Sequence, residues 1–165
     1  MLFRSTVNSS ANGANGVFSY GGNGGSNGTA GDGTTVIIRD TVITTSGSGS
    51  GGIMTTGGGI TYAYDLTITT SGGSSAPIRT DRGGGNVYVD GGTYTSNGLG
   101  SPAIYSTAAI EVANAVLVSN LSEGVCIEGR NSIALTDCEL TERGLSQARE
   151  LAEKCVELDH IDIII

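Results

Sequence analysis

The chain has 165 residues, enough for one domain with a real core. Its 28 glycines and 2 prolines carry no collagen-like period, and the recurring Val, Ile and Leu positions argue against disorder. The net charge of −8 argues against nucleic acid or an anionic membrane surface as partner, and no run of about 18 apolar residues offers a membrane span.

Met1-Leu2-Phe3-Arg4-Ser5 lacks the apolar segment of a secretory signal, so no signal peptide is recognised here. Residues 1–16 are rich in Asn, Gly and Ser and read as a loose lead-in. Val17-Phe18-Ser19-Tyr20 reads as the first strand, and Gly21–Thr35 as an exposed Gly/Asn loop. That loop has no Gly-Lys-Ser/Thr ending and opens no helix, so it is no phosphate cradle.

From Val36 a template recurs: apolar, any, apolar, four residues, apolar. It fits Val36/Ile38/Ile43, Val87/Val89/Tyr94, Ile110/Val112/Leu117 and Ile133/Leu135/Leu140, and it fits Ile60/Tyr62/Ile68 if one extra residue forms a bulge. An apolar anchor precedes each set at Ile53, Ile78, Ile104 and Ile127. Between 103 and 141 the unit is written twice, Ile104, Ile110, Val112, Asn114 and Leu117 returning 23 residues later as Ile127, Ile133, Leu135, Asp137 and Leu140. Fixed-period self-similarity is the mark of a solenoid, and the alternating doublets are strands. Three short strands per coil predict a right-handed, single-stranded parallel β-helix of about five coils over residues 17–140. The expected core is Val36, Ile38, Ile43, Ile53, Ile60, Ile68, Ile78, Val87, Val89, Ile104, Ile110, Val112, Leu117, Ile127, Ile133, Leu135 and Leu140.

Asp40, Asp65, Asp90, Asn114 and Asp137 fall at the corner after the second strand, where short polar side chains tolerate unusual φ. They read as a structural corner ladder, with calcium binding as the lesser alternative, and no metal site is assigned. Gly51-Gly52, Gly57–Gly59, Gly83–Gly85 and Gly91-Gly92 suit the other corners. "VIIRDTVITTSGSGSGGIMTTGGG", "APIRTDRGGGNVYVDGGTYTSNG" and the two 23-residue coils resemble the Gly/Thr-rich right-handed β-helices of bacterial pectate-lyase-like and adhesin-type surface proteins. The resemblance implies a fold and a secreted or cell-surface parent protein.

After Leu140 the composition changes. Residues 139–165 hold seven acidic and three basic side chains, and Leu145, Ala148, Leu151, Ala152, Cys155 and Leu158 recur at helical spacing. With Thr141 as N-cap this predicts an amphipathic capping helix over Glu142–Leu158, followed by a strand at Ile161–Ile165. Such a strand, or an open sheet edge, suits pairing with a second copy as a homodimer. "LTERGLSQARELAEKCVELDHIDIII" resembles the first helix and strand region of the histidine phosphatase superfamily. The family's R-H-G motif is absent, so no catalytic residue carries over. The chain therefore reads as a junction of two unrelated sequences, a chimera or truncated fusion; a genuine helical cap is the competing reading.

The chemistry is sparse. A nucleophilic triad needs a histidine, and His160 is alone in the tail. Cys126, Cys138 and Cys155 lack C-x-x-C spacing and are expected to be free thiols. Neither catalytic residues nor cofactors are assigned, and the chain reads as non-enzymatic. Outward positions after the anchors are Met54, Arg79, Tyr105 and Glu128, followed two residues on by Thr56, Asp81, Thr107 and Arg130. Arg79, Asp81, Tyr105 and Glu128 form the candidate binding set, of a kind that grips glycans. The third strand turns Val42/Thr44, Thr67/Thr69, Thr93/Thr95 and Val116/Val118 outward, ending in Glu139/Thr141. The expected function is an adhesive or carbohydrate-associated fragment of a bacterial surface or secreted protein. A degenerate polysaccharide lyase or hydrolase, and an ice-binding β-helix using the Thr face, are the alternatives.

Overall fold

The computed structural model describes residues 1–22 and 33–141. The predicted helix and terminal strand, most of the Gly/Asn loop, Cys155 and His160 lie outside the described residues. Within them the chain is all-β, a parallel β-solenoid. One leg stacks β1 (Leu2–Phe3), β4 (Thr35–Arg39), β7 (Gly59–Thr70), β9 (Gly85–Ser96), β11 (Ala109–Ala113) and β14 (Ser132–Thr136). A second leg stacks β2 (Thr6–Ser9), β5 (Val42–Thr45), the later halves of β7 and β9, β12 (Val116–Ser119) and β15 (Glu139–Leu140). The third sheet runs β3 (Val17–Tyr20), β6 (Ile53–Thr56), β8 (Ile78–Thr80), β10 (Ile104–Ser106) and β13 (Val125–Ile127). The stretch read as a loose lead-in thus carries two strands, because Leu2 and Val7 pack on the core beside Ile38 and Ile43.

Parallel register stacks like on like. Val7, Ile43, Ile68, Tyr94, Leu117 and Leu140 form one inward column, and Val17, Ile53, Ile78, Ile104 and Val125 another. Each fully buried Ile or Leu contributes roughly 1.5–3 kcal/mol of apolar burial. Most of the expected core is buried, while Val36, Ile127 and Leu140 are half-buried at its margin.

Three positions differ from the sequence reading. Thr61 and Ala63, not Ile60 and Tyr62, stand inward between Val36/Ile38 and Val87/Val89, so no bulge is needed. Thr61 is tolerated inside because its Oγ1 lies 2.6 Å from that of Thr55. In the last full coil Val125, not Ile127, pairs with Ile104, and Ile127 falls opposite Ser106. The 23-residue repeat therefore holds for β11 and β14 but not for the preceding strand. Thirdly, Asp90 does not occupy the corner ladder. Asp40, Asp65, Asn114 and Asp137 take left-handed φ of 47°, 52°, 53° and 50°, but in their column the fourth coil places Gly91, φ 73°. A Cβ there would lie 2.2 Å from Asp65 Oδ1. Asp90 stands one residue earlier and accepts a 2.7 Å bond from Asn114 Nδ2.

Another corner is held from inside by serines. Ser50, Ser75 and Ser101 are buried; the amide of Ser50 donates to Ser75 Oγ at 2.9 Å, and that of Ser75 to Ser101 Oγ at 2.8 Å. The same hydroxyls donate to carbonyls of the preceding coil, Ser75 to Gly47 and Ser101 to Gly72. Beside them, a ladder of hydroxyls clips the chain across the turn: Ser9 to the Ala14 carbonyl, Thr45 to Ser50 and Ser96 to Ser101, at 2.7, 2.6 and 2.5 Å. Thr70 occupies the same ladder, yet its Oγ1 is buried without a partner among the described residues. A buried hydroxyl that bonds nothing costs stability, whereas a bonded one contributes. Thr45→Val is accordingly expected to lose about 1–3 kcal/mol in chemical unfolding. Thr70→Val should be neutral or stabilise by about 1 kcal/mol; equal losses in both variants would refute the assignment.

Candidate binding faces

The four residues of the candidate set come from three successive coils and line one open depression of about 320 Å³, between Ala76 and Pro102. Arg79 and Tyr105 are direct neighbours on β8 and β10. Glu128 is not the next member of that row, since Cys126 pairs with Tyr105. With Ile127 opposite Ser106, Glu128 falls opposite Thr107, and from there its side chain still reaches the Tyr105 hydroxyl. Arg130, expected opposite Thr107, is displaced with it and does not line the depression.

Arg79 is held along its length. Nη2 meets Asp81 Oδ2 at 3.1 Å, Nη1 reaches the Gly49 carbonyl at 3.4 Å, and the guanidinium carbon lies 6.0 Å from the centre of the Tyr105 ring. Its Nε is buried with no partner among the described residues. The second oxygen of Asp81 accepts the Arg82 amide at 2.8 Å. Loss of water around Tyr105, then the hydrogen bond and negative charge of Glu128, push the phenol up to about 12. Burial, then Glu123 and Glu128, push the Cys126 thiol upward, so it is no activated nucleophile. Cys126 and Cys138 are free thiols. Among the described residues no group of three or more His, Cys, Asp or Glu side chains is placed to hold a metal ion.

A second depression was hidden from the sequence reading, because it is built on Tyr62. On the outer face of the first leg, Ile37, Tyr62, Tyr88, Glu111 and Ala134 form one row and Arg39, Tyr64, Asp90, Ala113 and Thr136 the next. Tyr62 and Tyr88 stack with ring centres 5.1 Å apart and planes 15° apart. The guanidinium of Arg39 sits 3.7 Å from the centre of the Tyr64 ring. Where tyrosines give way to Ala113 and Ala134, the face drops into a groove of about 350 Å³, with Asp90 and Glu111 at its side. The clue in the sequence was Tyr-x-Tyr at 62–64 followed by Tyr88, three aromatics in two coils.

No protein-family model, curated protein or solved structure matches the chain.

The third face lies on the second leg. Val42, Thr67, Thr93, Val116 and Glu139 stand in one outward row, and Thr44, Thr69, Thr95 and Val118 in another. Adjacent rungs of such a sheet are roughly 4.8 Å apart.

Proposed function

We propose that this chain is a non-enzymatic, carbohydrate-associated β-solenoid of a bacterial surface or secreted protein, of the adhesin or pectate-lyase-like kind. The saccharide is held in the depression of Arg79, Asp81, Tyr105 and Glu128. The observation that carries this reading is the convergence of those four side chains on one open cavity. A pyranose presents an apolar ring face and a rim of hydroxyls. Tyr105 offers a flat aromatic surface to the first, and the guanidinium and two carboxylates offer donors and acceptors to the second. Each carboxylate is already engaged, Asp81 by Arg79 and Glu128 by the Tyr105 hydroxyl, an arrangement that suits holding a ligand better than moving a proton.

Titration calorimetry against neutral and acidic oligosaccharides tests it. Binding without turnover is expected, weakened about tenfold or more by Arg79→Ala. If no glycan binds, the reading fails. If acidic polysaccharide releases unsaturated, ultraviolet-absorbing products, the chain is a degenerate lyase instead.

The register of the Thr/Val rows favours a second reading, adsorption to ice through the flat second-leg face. Thermal hysteresis that disappears in Thr69→Tyr would support it; its absence in the unmutated chain would end it.

A further inference from the structure

We propose that the groove beside Tyr88 binds a quaternary ammonium group. This site shares no residue with the glycan depression and stands independently of that reading.

The stacking of Tyr62 on Tyr88 covers one face of the Tyr88 ring and leaves the other toward the next rung, where the row continues as Glu111 and then Ala134. The neighbouring row shows what such a ring face accepts. Arg39, one rung from Tyr64, lays its guanidinium on that ring at 3.7 Å. An aromatic face attracts a cation through its quadrupole, most strongly when the cation is weakly hydrated. Past Tyr88 the groove has Ala113 and Ala134 on its floor, and among the described residues no basic side chain lines it. Two exposed carboxylates, Asp90 and Glu111, flank the space, and Asp90 is oriented by the amide of Asn114. Ring face, paired negative charge and a shallow volume together describe a receptor for a bulky, poorly hydrated cation. A primary ammonium would lose more hydration on entering, and a neutral sugar would leave the charge of both carboxylates unanswered. The overall charge of −8 favours the approach of the same ligand.

The test is an NMR titration of the full chain with choline, with 3,3-dimethylbutanol as its uncharged isostere and methyl glucoside as the sugar control. Choline is expected to shift the Tyr62 and Tyr88 resonances and to bind about tenfold tighter than the isostere. Added salt should weaken it. Tyr88→Leu and Glu111→Gln should each weaken binding about fivefold or more, with unchanged circular dichroism and melting. Because Glu111 is exposed, Glu111→Lys should also fold, and by placing its own ammonium in the groove it should abolish choline binding. Equal binding of choline and its isostere, preferential binding of methyl glucoside, or silent tyrosine resonances would each overturn the proposal. None of these results bears on Arg79→Ala, so the two sites succeed or fail separately.

Discussion

Gly72→Ala is expected to cost about 3 kcal/mol or more and to leave little soluble folded protein. A Cβ at Gly72 would lie 1.9 Å from the carbonyl oxygen of Gly47, directly in the preceding coil. The same column continues on both sides: a Cβ at Gly47 would meet the Ala11 carbonyl at 2.0 Å, and one at Gly98 the Gly72 carbonyl at 1.8 Å. The obstruction is backbone, fixed by hydrogen bonds along two coils, so no side chain can swing aside. Ala11 carries its methyl in this column because no described coil lies beneath it. Gly49→Ala is the control. Its φ of +68° strains an alanine, but among the described residues nothing lies within 4 Å of the new Cβ, and the cost should be about 1 kcal/mol. Guanidinium unfolding followed by circular dichroism separates the two; equal midpoints would mean that the coils part at this corner.

The second large effect is expected at Tyr94. It is fully buried, and its hydroxyl donates to the Gly91 carbonyl at 3.2 Å. Tyr94→Ala should therefore open a cavity and lose about 4 kcal/mol. Tyr94→Phe keeps the ring and should lose about 1 kcal/mol at neutral pH. Burial, reinforced by the charge of Asp65, raises the phenol's pKa well beyond its ordinary value. The folded protein thus keeps a proton that the unfolded chain releases near about pH 10. This contribution is complete below that pH and is lost as pH rises above it. Tyr105, pushed up to about 12, acts in the same direction. The alkaline fall in stability should be shallower in Tyr94→Phe; an unchanged slope would mean that Tyr94 is not the buried proton.

The solenoid was legible because its inward columns are mostly large and apolar, and the doublets Ile110/Val112 and Ile133/Leu135 repeat in the register that the structure shows. Where the inward residues are small, the signal failed. In Gly59–Thr70 two alternating sets compete, Ile60, Tyr62 and Tyr64 against Thr61 and Ala63. Size favours the first, but stacking between Val36/Ile38 and Val87/Val89 selects the second. Choosing by size put Tyr62 inside and so concealed the aromatic groove. Ile127 failed differently. The turn before it is shorter than the turn before Ile104, and a fixed period has no means to register a shortened corner. Arg79 and Tyr105 stand side by side where simple alternation in that sheet places them. Glu128 stands in another row than the one expected, and its long side chain still reaches the Tyr105 hydroxyl.

Coil length in this molecule is set at the corners and nowhere else. Between matching serine-corner contacts the chain advances 36 residues from Ala14 to Ser50 and 25 from Ser50 to Ser75. The surplus falls in the connection from Tyr20 to Thr35, yet β3 still pairs with β6 and β4 with β7 without a slip. Closing a longer loop adds only about 0.6 kcal/mol for each doubling. That connection is thus a natural graft point. A foreign peptide inserted there should leave the pairing of β3 with β6 and of β4 with β7 intact, whereas the same peptide inserted at Gly72 would wedge two coils apart.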